Sequence, residues 1–431
     1  MTYVGSRPAN KPVNQTDIED DAISLAKLAG GTDGNIISYD ASGNPVAIAT
    51  GNDGMVLTST GAGSPPAFES VVVPALRPNS QSLIINGNMS ISQRATSFSP
   101  SGAGTNYTID RYSYDVTGSG TGDATITQES DAPPNTNFRK SLKISPDATE
   151  TLSGGENIVF ATPLEGQNVQ VLGHGISSPP KATLSFWVKS SKTGTYCVQI
   201  KEESISNESY LLYEYSISSA NTWEQKVFTW TGNTAHTLND NNAMGFRIVW
   251  HLAVGSDDHA SATTSWTAST AFKATSNQVN FFDSTSNNWY LTGVQLEIGE
   301  FTSSTLPPFQ HENVTDNLLR CQRYFRSYGG GHATEQVAVG YTTGAQGETF
   351  INYSSPVMRA TPTMSLGTIG NWKIYSNSAG YTCSGNPGAS DATPRNMKLL
   401  TDHASGATAG QGGMLQANGT TNARLTLSSE L

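Results

Sequence analysis

Charge is scarce in this chain: 14% of its 431 residues are Asp, Glu, Lys or Arg, against about 25% in ordinary globular proteins. What charge there is leans acidic, with 24 Lys and Arg against 35 Asp and Glu, a formal net charge of −11. Proteins that hold nucleic acid neutralise phosphates with clustered Lys and Arg. No such stripe occurs here, so nucleic acid is excluded as a partner. No apolar run approaches the roughly 18 residues of a membrane span, and membrane insertion is not expected. The opening MTYVGSRPANKPVNQ lacks the apolar core of a secretory leader. Cysteine is nearly absent: Cys197, Cys321 and Cys383 are odd in number and far apart. That spacing suits neither a disulfide framework nor a zinc site, and predicts reduced thiols acting as small apolar residues, in a protein folded in a cytoplasm. GxSxG, P-loop, dinucleotide and HExxH patterns are also missing. No cofactor and no metal are expected.

Gly (42 residues), Ser, Thr and Asn fill the space that charge leaves. These residues make turns and dress exposed β-surfaces. With 14 Phe, 16 Tyr and 7 Trp and 36% hydrophobic residues overall, there is apolar material for real cores, and disorder along the whole length is excluded. The fold class is all-β.

Three regions follow from the pattern. In residues 1–80, Asp20 and Asp21 can cap a short helix over 22–29, with Ile23, Leu25 and Leu28 apolar and Gly30-Gly31 as its stop. A helix this short needs a partner or copies of itself. Then Gly31-Thr32-Asp33-Gly34-Asn35-Ile36-Ile37-Ser38 recurs as Gly51-Asn52-Asp53-Gly54-Met55-Val56-Leu57-Thr58. Each unit reads as a Gly-Asp-Gly turn, a short strand and a second turn, and one unit cannot bury an apolar face alone. Residues 1–80 are therefore expected to serve attachment and oligomerisation, with 71–80 (VVVPALRPNS) as a linker. Residues 81–305 carry many short strands between turn clusters, the signature of a two-sheet sandwich. In Thr183-Leu184-Ser185-Phe186-Trp187-Val188-Lys189 the alternation turns one face inward. Thr305-Leu306-Pro307-Pro308-Phe309 breaks any strand. Residues 306–431 then predict a helix over 316–324, with Leu318, Cys321 and Phe325 on one face, and a small terminal β domain.

Several blocks resemble known families. Residues 83–94 (LIINGNMSISQR), Asp110-Arg111-Tyr112 and residues 289–299 (WYLTGVQLEIG) resemble the opening, a central motif and the closing strand of carbohydrate-binding-module-like jelly rolls found in phage tail proteins, with Tyr112 where Trp is usual. Arg320-Cys321-Gln322-Arg323-Tyr324-Phe325, Val357-Met358-Arg359-Ala360-Thr361-Pro362-Thr363 and the final Leu427-Ser428-Ser429-Glu430-Leu431 resemble the small terminal domain of phage tail fibres, with Ser428 and Ser429 departing from the usual terminus. The resemblance implies a virion protein, usually a homotrimer. It implies a tail-fibre subunit docked through its N-terminus on tail proteins (nozzle or adaptor) and binding a host cell-surface glycan. The alternative is a head fibre, or a nozzle- or adaptor-associated structural protein without receptor binding.

Aromatic faces stack on the C–H faces of sugars, which makes Trp250, Trp266, Tyr213 and Tyr215 the candidate glycan platform. Trp187 and Trp289, in strongly alternating strands, are expected in the core. Asp257, Asp258 and His259 supply too few oxygens for calcium. Glu202-Glu203 and Asp257-Asp258 are adjacent pairs; neighbours on a strand face opposite ways and cannot clasp one glycosidic bond. A non-enzymatic protein is expected. Arg94, Asp110 and Arg111 suggest buried ion-pair or turn roles, and Arg320, Arg323 and Arg326 form either a subunit-interface stripe or a solvated helix face.

Overall fold

The computed structural model describes residues 31–70, 81–203, 208–404 and 406–431, with Asn386 described in its backbone alone. The expected helix over 22–29, with Ile23, Leu25 and Leu28, and the linker over 71–80 lie outside the described residues. The chain divides into two units, one ending at Leu76 and one beginning at Arg77.

In the first unit the sequence repeat is a repeated β-hairpin. Strand β1 (Ile36–Tyr39) pairs with β2 (Pro45–Ile48), and β3 (Met55–Thr58) with β4 (Ala67–Ser70). The single strand expected in each repeat thus gains a return strand after its second turn. Gly34 and Gly54 sit at φ 78° and 84°, the left-handed region that favours glycine. That explains why the Asp-Gly step recurs. Ile36, Ile37, Tyr39, Val56 and Leu57 remain exposed on these hairpins.

The second unit opens with the sandwich. Its early strands are β5 (Ser97–Phe98), β6 (Gly104–Tyr107), β7 (Ser113–Thr117), β8 (Ala124–Glu129), β9 (Ser141–Pro146) and β10 (Asn157–Glu165). There follow β11 (Lys181–Ser190), β12 (Gly194–Glu202), β13 (Ser209–Ile217), β14 (Glu224–Thr231), β15 (Met244–Val254), β16 (Thr263–Ala268) and β17 (Trp289–Ile298). They form a seven-stranded sheet, β16-β13-β12-β15-β10-β7-β6, and a six-stranded sheet, β14-β11-β17-β9-β8-β5. Between them lies one core holding Phe160, Phe186, Phe246, Trp250, Trp289 and Leu296. Period-2 alternation builds it: Leu184, Phe186 and Val188 point inward from β11. Full burial of each such side chain is worth about 1.5–3 kcal/mol. The all-β sandwich expectation holds.

Helix α1 (Val314–Gln322) follows, then β18 (Phe325–Gly329), β19 (Gln336–Thr342), β20 (Gln346–Asn352), β21 (Thr363–Ser365) and β22 (Trp372–Ser376). The chain ends with β23 (Ala379–Ser390), β24 (Asn396–His403), β25 (Gly412–Ala417) and β26 (Arg424–Ser428). Six of these strands close into a barrel, β19-β20-β24-β23-β22-β25, and β18-β26-β21 form a small sheet beside it. A second core, including Trp372, Ile374, Leu399, Leu415 and Leu427, fills this region. The helix begins earlier than the pattern predicted because the Asn313 side chain accepts the Asp316 amide at 2.9 Å and caps it. It ends earlier too, and Phe325 belongs to β18.

Candidate functional site

The aromatics singled out from the sequence do not form a platform. Trp250 is fully buried between the sheets, 5.5 Å from Phe186 and 6.3 Å from Phe160. Tyr215 is buried as well, stacked on Tyr196 at 5.7 Å, and burial pushes its hydroxyl pKa well up. Tyr213 and Trp266 are half-buried and close the edge of the sandwich. The Tyr213 hydroxyl donates to the Thr229 carbonyl at 3.3 Å and the Trp266 indole N–H to the Thr231 carbonyl at 2.9 Å, both on β14. The sequence misled because β15 is covered on both faces: on its outer side Val249 is packed under Phe272 and His251 is fully buried, so burial did not follow one face of the strand.

Trp187 corrects the reading in the other direction. Its strand alternation puts it on the outer face of the six-stranded sheet, with Ser185 and Lys189, and it is half-buried there. Beside it stand two more outward aromatics, Trp223 and Tyr290, their rings 6.0 Å apart and edge to face. Cross-strand register sets Tyr290 between Lys189 on β11 and Lys143 on β9. The Lys189 ammonium lies 4.1 Å from the Tyr290 ring centre and 5.2 Å from Trp223. It pairs with Asp131, which also accepts the Trp223 indole N–H at 3.1 Å. Burial raises the Tyr290 hydroxyl pKa, and the Asp131 and Glu129 carboxylates add to that. The phenol is thus kept neutral, a hydrogen-bonding group.

The same face carries a cavity of about 250 Å³ next to this cluster, lined by Phe138, Trp187, Gln225, Gln295, Phe309 and His311 among others. Its far wall is the segment after β17, where Phe309 meets Phe138 edge to face at 4.8 Å. Its floor needs glycine. Gly293 has φ 62°, and a Cβ there would lie 2.7 Å from Phe138 Cζ and 3.0 Å from Trp187 Cδ1. The pairing of β11 with β17 slips between Ser185 and Trp187, a bulge that re-aims the outward residues of β17. Aromatic surface with amides, a phenol and an ammonium around it is the chemistry that stacks a pyranose and bonds its hydroxyls.

The motif residues do a different job. Arg94 and Arg111 converge on Glu430 at 2.9 and 2.5 Å. Arg111 also donates to the Pro163 carbonyl at 2.7 Å, and its guanidinium carbon lies over Tyr324, 3.4 Å from the ring centre. Asp110 accepts both the Gln93 amide N–H and its side-chain NH2 at 2.6 Å. Arg323 forks onto Glu165 at 2.7 and 2.8 Å. Burial alone would raise the Glu165 carboxyl, but Arg323 and Tyr324 hold it below its usual value. Arg359 bridges from the Asn242 carbonyl, at 3.0 Å, to the Ser429 and Glu430 carbonyls, at 2.7 and 2.6 Å. Asn86, at φ 59°, donates to the Ile91 and Asp110 carbonyls at 2.9 and 3.0 Å. These motifs weld the sandwich to the barrel region. Arg320, with Glu312 and the Ser82 carbonyl, and Arg326, with the Pro356 carbonyl, are also engaged within the chain. They are neither an open interface stripe nor a solvated face, and Arg326 lies on β18 rather than the helix.

Of the candidate carboxylates for catalysis or metal, Glu202, Glu203 and Asp258 are engaged in structural contacts, and Asp257 is exposed. Glu202 is buried against His174, Ser209 and Asn233, while Glu203 faces Lys201 and Arg247 on the other side of the strand. Asp258 holds Lys273 at 2.6 Å and Asn157 at 2.5 Å. Among the described residues no group of three or more His, Cys, Asp or Glu is placed to hold a metal ion. The three cysteines are buried thiols, and no helix among the described residues is long and apolar enough to cross a membrane.

No family model matches this chain, and no curated protein does. Among solved structures it is similar to the enzymatically active domain of bacteriophage CBA120 tailspike protein 4, at 15% identity and a TM-score of 0.26, over 49% of this chain and 23% of that one. It is similar to a putative sugar binding protein from Bacteroides thetaiotaomicron, at 14% identity and a TM-score of 0.28, over 51% of this chain and all (100%) of that one. A third is the N-terminal cellulose-binding domain of a Cellulomonas fimi β-1,4-glucanase, at 12% identity and a TM-score of 0.24, over 41% and 90%. The chain spans about a quarter of the tailspike structure. At these identities and scores the sandwich assignment rests on the two sheets themselves.

Proposed function

We propose that this protein is a non-enzymatic structural subunit of a phage virion, a tail fibre that binds a host-surface glycan. The observation that carries the glycan reading is the outward aromatic cluster of Trp187, Trp223 and Tyr290, with its adjoining cavity, on an otherwise polar sheet face. Solvent-facing Trp and Tyr beside hydrogen-bonding side chains are what a sugar site requires. The tail-fibre reading rests on the motif blocks of the sequence, and the engagement of Glu202, Glu203 and Asp258 in structural contacts supports a binding rather than a hydrolytic role. The exposed Ile37 and Tyr39 of the hairpins support trimerisation through residues 1–80, since apolar hairpins this small gain stability by packing on copies of themselves.

The test is retention of the full chain on host envelope polysaccharide, compared with the Trp223→Ala/Tyr290→Ala variant. Stacking of a planar base on one aromatic is worth about 1–3 kcal/mol; on the same scale for a sugar ring, the double variant should lose at least tenfold in affinity with its fold intact by circular dichroism. Undiminished binding would remove this face from the reading. Electron microscopy of particles showing the chain on the capsid would move the function from tail fibre to head decoration.

A further inference from the structure

The cavity beside Trp187 is uncharged: no Asp, Glu, Lys or Arg lines it. The one imidazole there, His311, packs against Phe138 and Phe309, and partial burial lowers its pKa, so the ring is neutral at pH 7. The walls are apolar, from Phe138, Trp187, Leu306 and Phe309. Two side-chain amides interrupt them in a defined way. Gln295 is 3% exposed. Its NH2 donates to the Glu297 carboxylate at 2.9 Å and to the Pro307 carbonyl at 3.0 Å. A carbonyl can only accept, which fixes the orientation of this amide. Its own carbonyl oxygen is left without a partner among the described residues. Gln225 stands opposite Trp187 in the pairing of β11 with β14, and its side-chain amide has no hydrogen-bond partner among the described residues.

We propose that this cavity is a subsite for the acetamido group of a neutral, N-acetylated aminosugar. The methyl group packs against Phe138, Trp187 and Phe309, the N–H donates to the Gln295 carbonyl oxygen, and the C=O accepts from Gln225. This rests on the glycan reading above and narrows it to a sugar class. An acetamido group is a methyl joined to one donor and one acceptor, and the cavity offers the complement of each. A free amine would bring an ammonium into an uncharged pocket with no carboxylate to receive it. A plain hydroxyl would leave the apolar walls unfilled and a buried amide oxygen unpaired, and sites built to bond a polar group discriminate strongly against analogues that lack it. At about 250 Å³ the cavity is smaller than the roughly 300–1,000 Å³ of drug-sized sites, which suits a substituent and the ring edge that bears it. Trp187 and Lys189 are alternate residues of β11, and Tyr290 pairs with Lys189. The Tyr290 and Trp223 platform therefore starts about 7 Å along the strand, where the next part of the glycan stacks.

The experiment is binding of the full chain to four immobilised sets: N-acetylhexosamine oligomers, the same oligomers de-N-acetylated, those re-acetylated, and unsubstituted hexose oligomers. Binding should be strong to the first, lost on de-N-acetylation and restored by re-acetylation. Burying the methyl contributes about fourfold and one neutral hydrogen bond about fivefold. Hexose oligomers should therefore bind about twentyfold more weakly than N-acetylated ones. Trp187→Ala and Gln225→Leu, both at half-buried positions of the outer face, should each narrow that preference by about four- to fivefold, with circular dichroism unchanged. The inference is overturned if de-N-acetylated or hexose oligomers bind as tightly as N-acetylated ones, or if neither variant moves the preference. Equal binding of hexose oligomers that still depends on Trp223 and Tyr290 would refute the acetamido subsite while leaving the glycan reading standing. Absence of binding in every arm would refute both.

Discussion

Replacing Glu430 by Gln tests whether the motif residues weld two cores together. Arg111 and Glu430 are each 2% exposed at the side chain and 2.5 Å apart. Removing one member of a buried pair costs about 3–5 kcal/mol, because the remaining charge is stranded away from water. Arg111 keeps its bond to the Pro163 carbonyl and its contact with Tyr324, which points to the low end, about 3 kcal/mol. With a urea dependence of roughly 3 kcal/mol per M, the unfolding midpoint should fall by about 1 M. Arg111→Met on the same background should restore part of the loss, since the fully buried guanidinium is gone and only Arg94, 14% exposed at its side chain, is left without its carboxylate; the coupling between the two sites should be about 2 kcal/mol. The pair joins the sandwich to the barrel region, so Glu430→Gln should also split one transition into two when circular dichroism and tryptophan fluorescence are followed together. Strictly additive single and double variants, or a midpoint shift within measurement error, would refute the reasoning.

Two further perturbations follow from particular contacts. His251 is fully buried with no partner for either ring nitrogen among the described residues, and burial pushes its pKa down to about 3, against a small opposing pull from Asp258. Its folded pKa is depressed, so between the unfolded value and that value only the unfolded chain takes up the proton; stability therefore falls as pH drops. From pH 6.5 to 5 this residue should cost about 2 kcal/mol, and urea titrations of His251→Leu should show a correspondingly flatter acid side; an unchanged slope would refute it. At Gly87, an added Cβ would sit 2.1 Å from the Val294 carbonyl oxygen, which is rigid backbone of β17. Gly87→Ala should lower stability by about 1–3 kcal/mol through forced backbone movement, read by thermal melting, and a neutral effect would show that the two segments are not clamped as described.

Local chemistry was legible in the sequence wherever one residue's neighbours along the chain set its state. Scarce charge and abundant turn residues, with alternating strands, pointed to an all-β chain. The Asp-Gly repeat marked two identical turns because only glycine is comfortable at φ near 80°, and the prolines after β17 marked the boundary before the helical segment, although the Asn313 cap that starts the helix was not read from the pattern. Trp289 lay in the core, as its alternation predicted. Tertiary structure decided everything that depended on which face of a strand another layer covers. β15 is covered on both sides, so Trp250 disappeared into the core, whereas β11 is covered on one side until the bulge at Gly293 opens a cavity beside Trp187. Trp223 and Tyr290 are 67 positions apart in sequence and meet only because β14, β11 and β17 lie side by side. Likewise no local pattern could show that Glu430 neutralises Arg94 and Arg111. A period of two says that a side chain alternates, but what waits on either face is fixed by strand pairing across the whole chain.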